Sequence, residues 1–181
     1  MKRIFLFLLL VSYLTGNKSI AQLVYQQKTW QQSISATVGI NYNDGHDFQG
    51  LYTLRINSSP FFVSGGLTIG SEKITVASVS KKPVNLHIIQ LSGAYSIFDK
   101  ISPAPFNVAF FGGIINTNEK IDLRDGVDVT NNTFGNVAGV HFEWYCLRYI
   151  SVVARQNLFF LYKSPFGKFR ANSSLGISFN F

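Results

Sequence analysis

Apolar and polar residues alternate through most of the chain after residue 31, most regularly over 169–181. There Phe169, Ala171, Ser173, Leu175, Ile177, Phe179 and Phe181 share one parity, and Arg170, Asn172, Ser174, Gly176, Ser178 and Asn180 the other. Successive side chains of a strand point to opposite faces, so this period of two predicts a strand with one oily and one polar face. The same alternation recurs upstream. Ile34, Ala36, Val38 and Ile40 oppose Ser33, Ser35, Thr37 and Gly39, and Tyr52, Leu54 and Ile56 oppose Thr53 and Arg55. Phe61, Val63, Leu67 and Ile69 oppose Ser64, Gly66, Thr68 and Gly70, with Gly65 as an interruption. Ile89, Leu91, Tyr95 and Ile97 follow, then Phe106, Val108, Phe110 and Ile114, where Phe111 and Ile115 blur the pattern. Val140, Phe142 and Trp144 make one more such segment, and Ile150, Val152, Ala154, Leu158 and Phe160 another.

Eight strands result, with expected limits 32–42, 48–57, 61–72, 84–98, 105–117, 133–145, 149–162 and 169–181. Most reach the ~9–11 residues that a tilted strand needs to cross a bilayer, and eight is the smallest usual number for a single-chain barrel. Connectors 43–47, 73–83, 118–132 and 163–168 are expected at one end, and the shorter 58–60, 99–104 and 146–148 at the other. Asp44-Gly45, Ser58-Ser59-Pro60, Asp125-Gly126 and Ser164-Pro165 supply turn chemistry where these connectors require it.

Eight alternating strands also suit a soluble barrel with its apolar face inside. A soluble barrel needs a charged exterior, whereas the polar face here is mainly Ser, Thr, Asn and Gly, small enough to crowd a narrow interior. The other face, rich in Phe, Tyr, Leu and Ile, matches lipid edged by aromatic girdles. The expected fold is therefore all-β: an eight-stranded antiparallel up-and-down transmembrane β-barrel over 32–181.

Ahead of the barrel, Lys2 and Arg3 precede the apolar run Ile4 to Val11, and Ser19-Ile20-Ala21 offers a small-residue cleavage site. Residues 1–21 thus read as a signal peptide, with 22–31 a lead-in segment. About 11 apolar residues are too few for a membrane-spanning helix. Without this segment, 13 cations and nine acids remain, a net +4 with no clustered basic face for nucleic acid. Cys146 is the only cysteine, so no internal disulfide forms. Its position in a turn at the end that carries the termini makes it an inert thiol or a link to another chain. These features point to the outer membrane of a Gram-negative bacterium, with periplasmic termini.

Candidate chemistry is sparse. Arg55, Glu143, Arg155 and Arg170 fall on the lumenal parity and predict a structural charge network, with Glu143 pairing one or more of the arginines. A three-residue turn at 146–148 would set Arg155 opposite Gly139, with Glu143 in reach of Arg155 or Arg170. The oily residues Leu175, Ile177, Phe179 and Phe181 resemble the C-terminal insertion signal of outer-membrane barrels. No catalytic residues are assigned: His46, His87 and His141 lack metal-ligand spacing, and no G-x-S-x-G elbow occurs. His87 with Ser78 or Ser80 is the best enzymatic constellation available. Asp122, Asp125 and Asp128 lie in a loop without an EF-hand pattern, balanced by Lys120 and Arg124, and read as solvated. Sequons at Asn57, Asn131 and Asn172 read as chance. No metal or cofactor is expected.

Residues 48–181 carry a series of motifs in a characteristic order. Val84 to Ile97 contains Gly93-x-Tyr95, then come Phe110-Phe111-Gly112-Gly113-Ile114 and Leu123-Arg124-Asp125-Gly126. Val137-Ala138-Gly139-Val140 follows, then an Arg155-bearing strand, Gly167-Lys168-Phe169-Arg170, and Leu175-Gly176-Ile177-Ser178-Phe179. Together they resemble the TraO family of conjugative-transposon transfer proteins. Arg124 stands where that family's loop has proline, and Leu23-Val24-Tyr25-Gln26-Gln27 departs from its Arg- and Pro-containing N-terminal segment. The resemblance implies an outer-membrane barrel in a conjugation apparatus, with lipid and other apparatus proteins as partners and no direct contact with nucleic acid. It brings no catalytic residues. The alternative is a stand-alone barrel that binds a ligand or adhesion partner through loops 73–83 and 118–132.

Overall fold

The computed structural model describes residues 32–55, 59–76, 80–97, 106–123, 127–147 and 149–181. Eight strands form: β1 (Gln32–Asn41), β2 (Gly45–Arg55), β3 (Phe61–Val76), β4 (Ser80–Ser96), β5 (Phe106–Leu123), β6 (Val127–Tyr145), β7 (Ile150–Leu161) and β8 (Phe169–Asn180). Each pairs antiparallel with its neighbour in sequence, and β8 closes on β1. The fold is the eight-stranded antiparallel up-and-down barrel that the alternation predicts. The expected signal peptide, 1–21, and lead-in segment, 22–31, lie outside the described residues.

The register fixes the barrel's shape. A circuit of cross-strand partners runs from Ser33 through Thr53, Ser64, Ser92, Gly113, Val137 and Phe159 to Arg170. Extending the β1–β8 ladder puts Arg170 opposite position 43, ten residues beyond the start. A stagger of ten over eight strands, at ~3.3 Å per residue and ~4.8 Å between strands, tilts them by roughly 40°. The outward face of β7 from Ile150 to Phe160, apolar except for Gln156, then rises about 25 Å, the height of the apolar band of outer-membrane barrels.

Side chains sort by parity as expected. Outward residues include Val38, Ile40, Phe48, Leu67, Ile89, Leu91, Phe110, Ile114, Leu158, Leu175, Ile177, Phe179 and Phe181, all substantially exposed. Gly65 does not interrupt β3: it holds an outward position opposite Tyr52 and Leu91, and the alternation runs through it. The turn between β1 and β2 places Asp44 at φ 53°, a left-handed conformation that Asp tolerates better than most residues.

Two expectations need correction. The interior is not wholly polar: Phe62, Ile88, Phe111, Ile115, Val137, Phe159 and Leu161 form an apolar cluster inside the barrel. Phe111 and Ile115, which blur the sequence pattern, are inward residues of β5. A narrow barrel has to fill its interior with side-chain volume, and apolar groups do this without needing partners. The long loops 73–83 and 118–132 also largely disappear. The β3–β4 ladder continues to Val76↔Ser80 and the β5–β6 ladder to Leu123↔Val127. The two ends differ by strand extension rather than loop length, because β3 to β6 run on past the barrel at the end opposite the termini.

Candidate functional site

Alternate residues of all eight strands converge on the lumen, and their positions along the strands divide it into levels. At the terminal end, β6 brings Glu143 and His141 inward, β7 Ser151, β8 Asn180 and β2 Arg55. Ser151 Oγ donates to Glu143 Oε1, and Asn180 Nδ2 donates to Ser151 Oγ at 3.1 Å. His141 Nε2 lies 3.9 Å from Glu143 Oε2. Arg55 is within electrostatic reach of Glu143, its guanidinium carbon 5.9 Å from the centroid of Phe62.

Halfway up, Arg155 is 5% exposed, with its guanidinium carbon 4.2 Å from the ring centroid of Phe111. Beyond it, Gln49 Nε2 donates to Thr68 Oγ1 and Gln90 Oε1, each at 3.1 Å. Asn157 Nδ2 donates to Asn172 Oδ1 at 2.6 Å, and Asn172 Nδ2 to Asp47 Oδ2.

At the far end Arg170 bridges two carboxylates. Its Nε lies 3.0 Å from Glu72 Oε1, and its Nη2 donates to Glu119 Oε1. Glu119 also accepts from Ser164 Oγ at 2.9 and 3.0 Å and from Asn131 Nδ2 at 2.7 Å. Ser164 belongs to the β7–β8 connector, which therefore folds inward. Phe166 of the same connector packs on Val84, Leu86 and Ile121 above the ion cluster.

The four expected charges all line the lumen; Arg55, Glu143 and Arg155 edge one cavity, and Arg170 lies apart from them. Arg155 lies opposite His141, not Gly139, and Glu143 lies opposite Val153. The β6–β7 ladder ends at Tyr145↔Ser151, so the connector is longer than expected and the pairing slips by two. An even slip keeps every side chain on its face, which is why parity holds while the partners change. Glu143 is satisfied by Ser151, with His141 and Arg55 nearby, rather than by Arg155 or Arg170. β8 starts at the far end, which carries Arg170 away from Glu143 to Glu72 and Glu119. Those two acids escape the sequence reading, yet each continues the inward parity of its strand, Glu72 after Gly70 and Glu119 after Thr117.

Other candidates separate. His87 is exposed on the outward face, opposite Ile69 and Asn118. Ser80 starts β4, roughly 23 Å away at ~3.3 Å per residue, and Ser78 lies outside the described residues. His46 is exposed at the β1–β2 turn and His141 is lumenal. Asp122 and Asp128 are ladder partners rather than loop residues, and Asp125 lies outside the described residues. Among the described residues no group of three His, Cys, Asp or Glu could hold a metal ion. Asn131 and Asn172 spend their amides inside the protein, and Asn57 lies outside the described residues. Cys146 is exposed, its Sγ 3.5 Å from the Trp144 carbonyl. Leu175, Ile177 and Phe179 of β8, and Phe181 just beyond it, point outward.

Side chains fill most of the lumen. A cavity of about 40 Å³ lies at the terminal end, and one of about 10 Å³ near Arg170. Phe111 and Arg155 edge the first, Phe159 and Ile88 the second, and Gln49, Gln90 and Ile115 lie at intermediate height.

No family model matches this sequence, and no curated protein matches it. Solved structures do. A major outer membrane protein of Thermus thermophilus superposes with a TM-score of 0.64 at 12% identity, covering 84% of this chain and 100% of that one. Neisserial surface protein A gives 0.61 at 15% identity, over 83% and 95% of the two chains. The N-terminal β-barrel domain of Pseudomonas aeruginosa OprF gives 0.60 at 14%, over 83% and 97%. At these identities the likeness concerns architecture: the chain has the fold of eight-stranded outer-membrane barrels.

Proposed function

We propose that this chain is an outer-membrane barrel that serves a conjugative DNA-transfer apparatus as a structural, partner-binding component without catalysis. The observation that carries the reading is the ordered set of motifs from Gly93-x-Tyr95 to Leu175-Gly176-Ile177-Ser178-Phe179, which resembles the TraO family. Two of these motifs meet in space: Gly93 of β4 is the direct cross-strand partner of Gly112 of β5, on the outward face. The oily exterior, about 25 Å high, supports insertion in lipid, where a closed barrel leaves no backbone group without a partner. The packed lumen supports a role through surfaces rather than through passage of DNA. The termini face the periplasm in this reading, and the extended hairpins face out of the cell.

Deleting the gene from a conjugative element should abolish transfer, and a copy supplied in trans should restore it. Transfer at the parental frequency overturns the conjugation role. The membrane placement has its own test: a folded mature chain that stays dispersed in buffer without detergent overturns it.

A second reading has its own support. The β3–β4 and β5–β6 hairpins run past the barrel as a four-stranded extension at the end opposite the termini. A stand-alone barrel binding a ligand or adhesion partner would use that extension. Trimming both hairpins would then abolish partner binding while leaving the barrel's heat-modifiable gel mobility intact.

A further inference from the structure

Among the described residues, Arg155 is the one lumenal arginine whose charge has no counterpart at its own level. Arg170 has Glu72 and Glu119, and Arg55 has Glu143 in electrostatic reach. Around Arg155 no carboxylate among the described residues comes within ion-pair distance, and its Nε makes no hydrogen bond. Stacking on Phe111 offsets part of the cost of burying the charge, since a ring face attracts a cation. It does not satisfy the guanidinium's in-plane donors.

That guanidinium lines the cavity at the terminal end, together with Arg55, His141, Glu143 and the hydroxyl-bearing residues Ser35, Thr53 and Ser64. Among the described residues two guanidiniums and one carboxylate line this wall, an excess of one formal positive charge. The volume, about 40 Å³, exceeds the ~10–15 Å³ that a single water requires. It has room for a monatomic anion with a water or two. The cavity sits at the end that carries the strand termini, with Phe62 and Phe111 of the apolar cluster in its wall.

We propose that this cavity is a binding site for a small monovalent anion of halide size, held by Arg155 with hydroxyl donors completing its shell. The ion neutralises the surplus guanidinium and so acts as a structural counter-ion of the barrel core. The site does not depend on which apparatus or ligand the barrel serves.

The test uses the full mature chain refolded in detergent, with bromide exchanged for gluconate at constant ionic strength. Bromide should raise the melting temperature saturably, by about 2–4 °C, as expected of a ligand that binds only the folded state. Arg155→Gln should lose that response. Should Arg155→Gln not fold, two other measurements decide. Ser64→Leu, which fills the cavity while keeping Arg155, should lose the bromide response, and bromide NMR line broadening should saturate for the wild type only. An equal response in the wild type and the filled cavity means general salt stabilisation and overturns the proposal. So does a melting temperature indifferent to bromide, which leaves water as the sole occupant.

Discussion

The two ends of the lumen solve the burial of charge in opposite ways. At the terminal end one carboxylate, Glu143, accepts from the Ser151 hydroxyl with an imidazole and Arg55 close by, and among the described residues guanidiniums outnumber carboxylates. At the far end one guanidinium, Arg170, serves Glu72 and Glu119, and Asp47 lines the same small cavity as Arg170 and Glu72, so that among the described residues carboxyl groups outnumber guanidiniums. The first arrangement leaves room beside it and the second is sealed by Ser164 and Phe166 of a connector folded into the barrel mouth. Position along the strand decides which arrangement a charged residue joins, and parity alone does not report it.

The largest effect should come from the sealed end. Arg170→Met leaves two facing carboxylates without a cation, and breaking a buried ion pair from one side costs about 3–5 kcal/mol. The urea midpoint of the barrel refolded into lipid vesicles should fall accordingly. Adding Glu119→Gln should recover part of the loss, because the two sites share one interaction. Equal and additive losses would mean that Arg170 acts only through its packing, and the contrast between the ends would dissolve.

This contrast also marks how far the amino-acid pattern is legible. Within the apolar band the inward and outward assignments follow mostly from alternation, because lipid outside and a packed lumen inside make the two faces chemically unlike. Beyond the band the contrast fades. Ser71, Lys73, Asn85, Asn118 and Lys120 are outward residues of β3 to β5 that are polar, and inward Glu72 and Glu119 are polar as well. With both faces polar, the strands read as loops from 73 and 118 onward, and Glu119 goes unrecognised with them, while Glu72 closes the expected strand 61–72 without a partner to single it out. Phe111 and Ile115 show the converse failure, because an apolar residue fits a lumen as well as it fits lipid. The Arg155–His141 pairing escapes for a smaller reason, a β6–β7 connector longer than the turn residues suggest.

A middle-sized effect should appear at the boundary between the levels. Gly139 faces the lumen beside Arg155's strand, and a Cβ there would sit 2.0 Å from the Gln156 carbonyl oxygen and 2.6 Å from the Phe111 ring. Gly139→Ala must therefore move backbone or push Phe111 off Arg155. Overpacking of this kind costs about 1–3 kcal/mol. The same unfolding measurement checks it, and an unchanged midpoint would show that the ring is free to yield.

The smallest effect should come from the open end. Ser151→Ala removes the hydroxyl that donates to Glu143 and accepts from Asn180. Had Glu143 depended on a guanidinium alone, the change would be silent. Because the hydroxyl is its direct donor, a loss of about 1 kcal/mol is expected, less than for Arg170→Met since the adjoining cavity gives the carboxylate room to find water. A loss as large as that of Arg170→Met would mean that the terminal end is as tightly sealed as the far one.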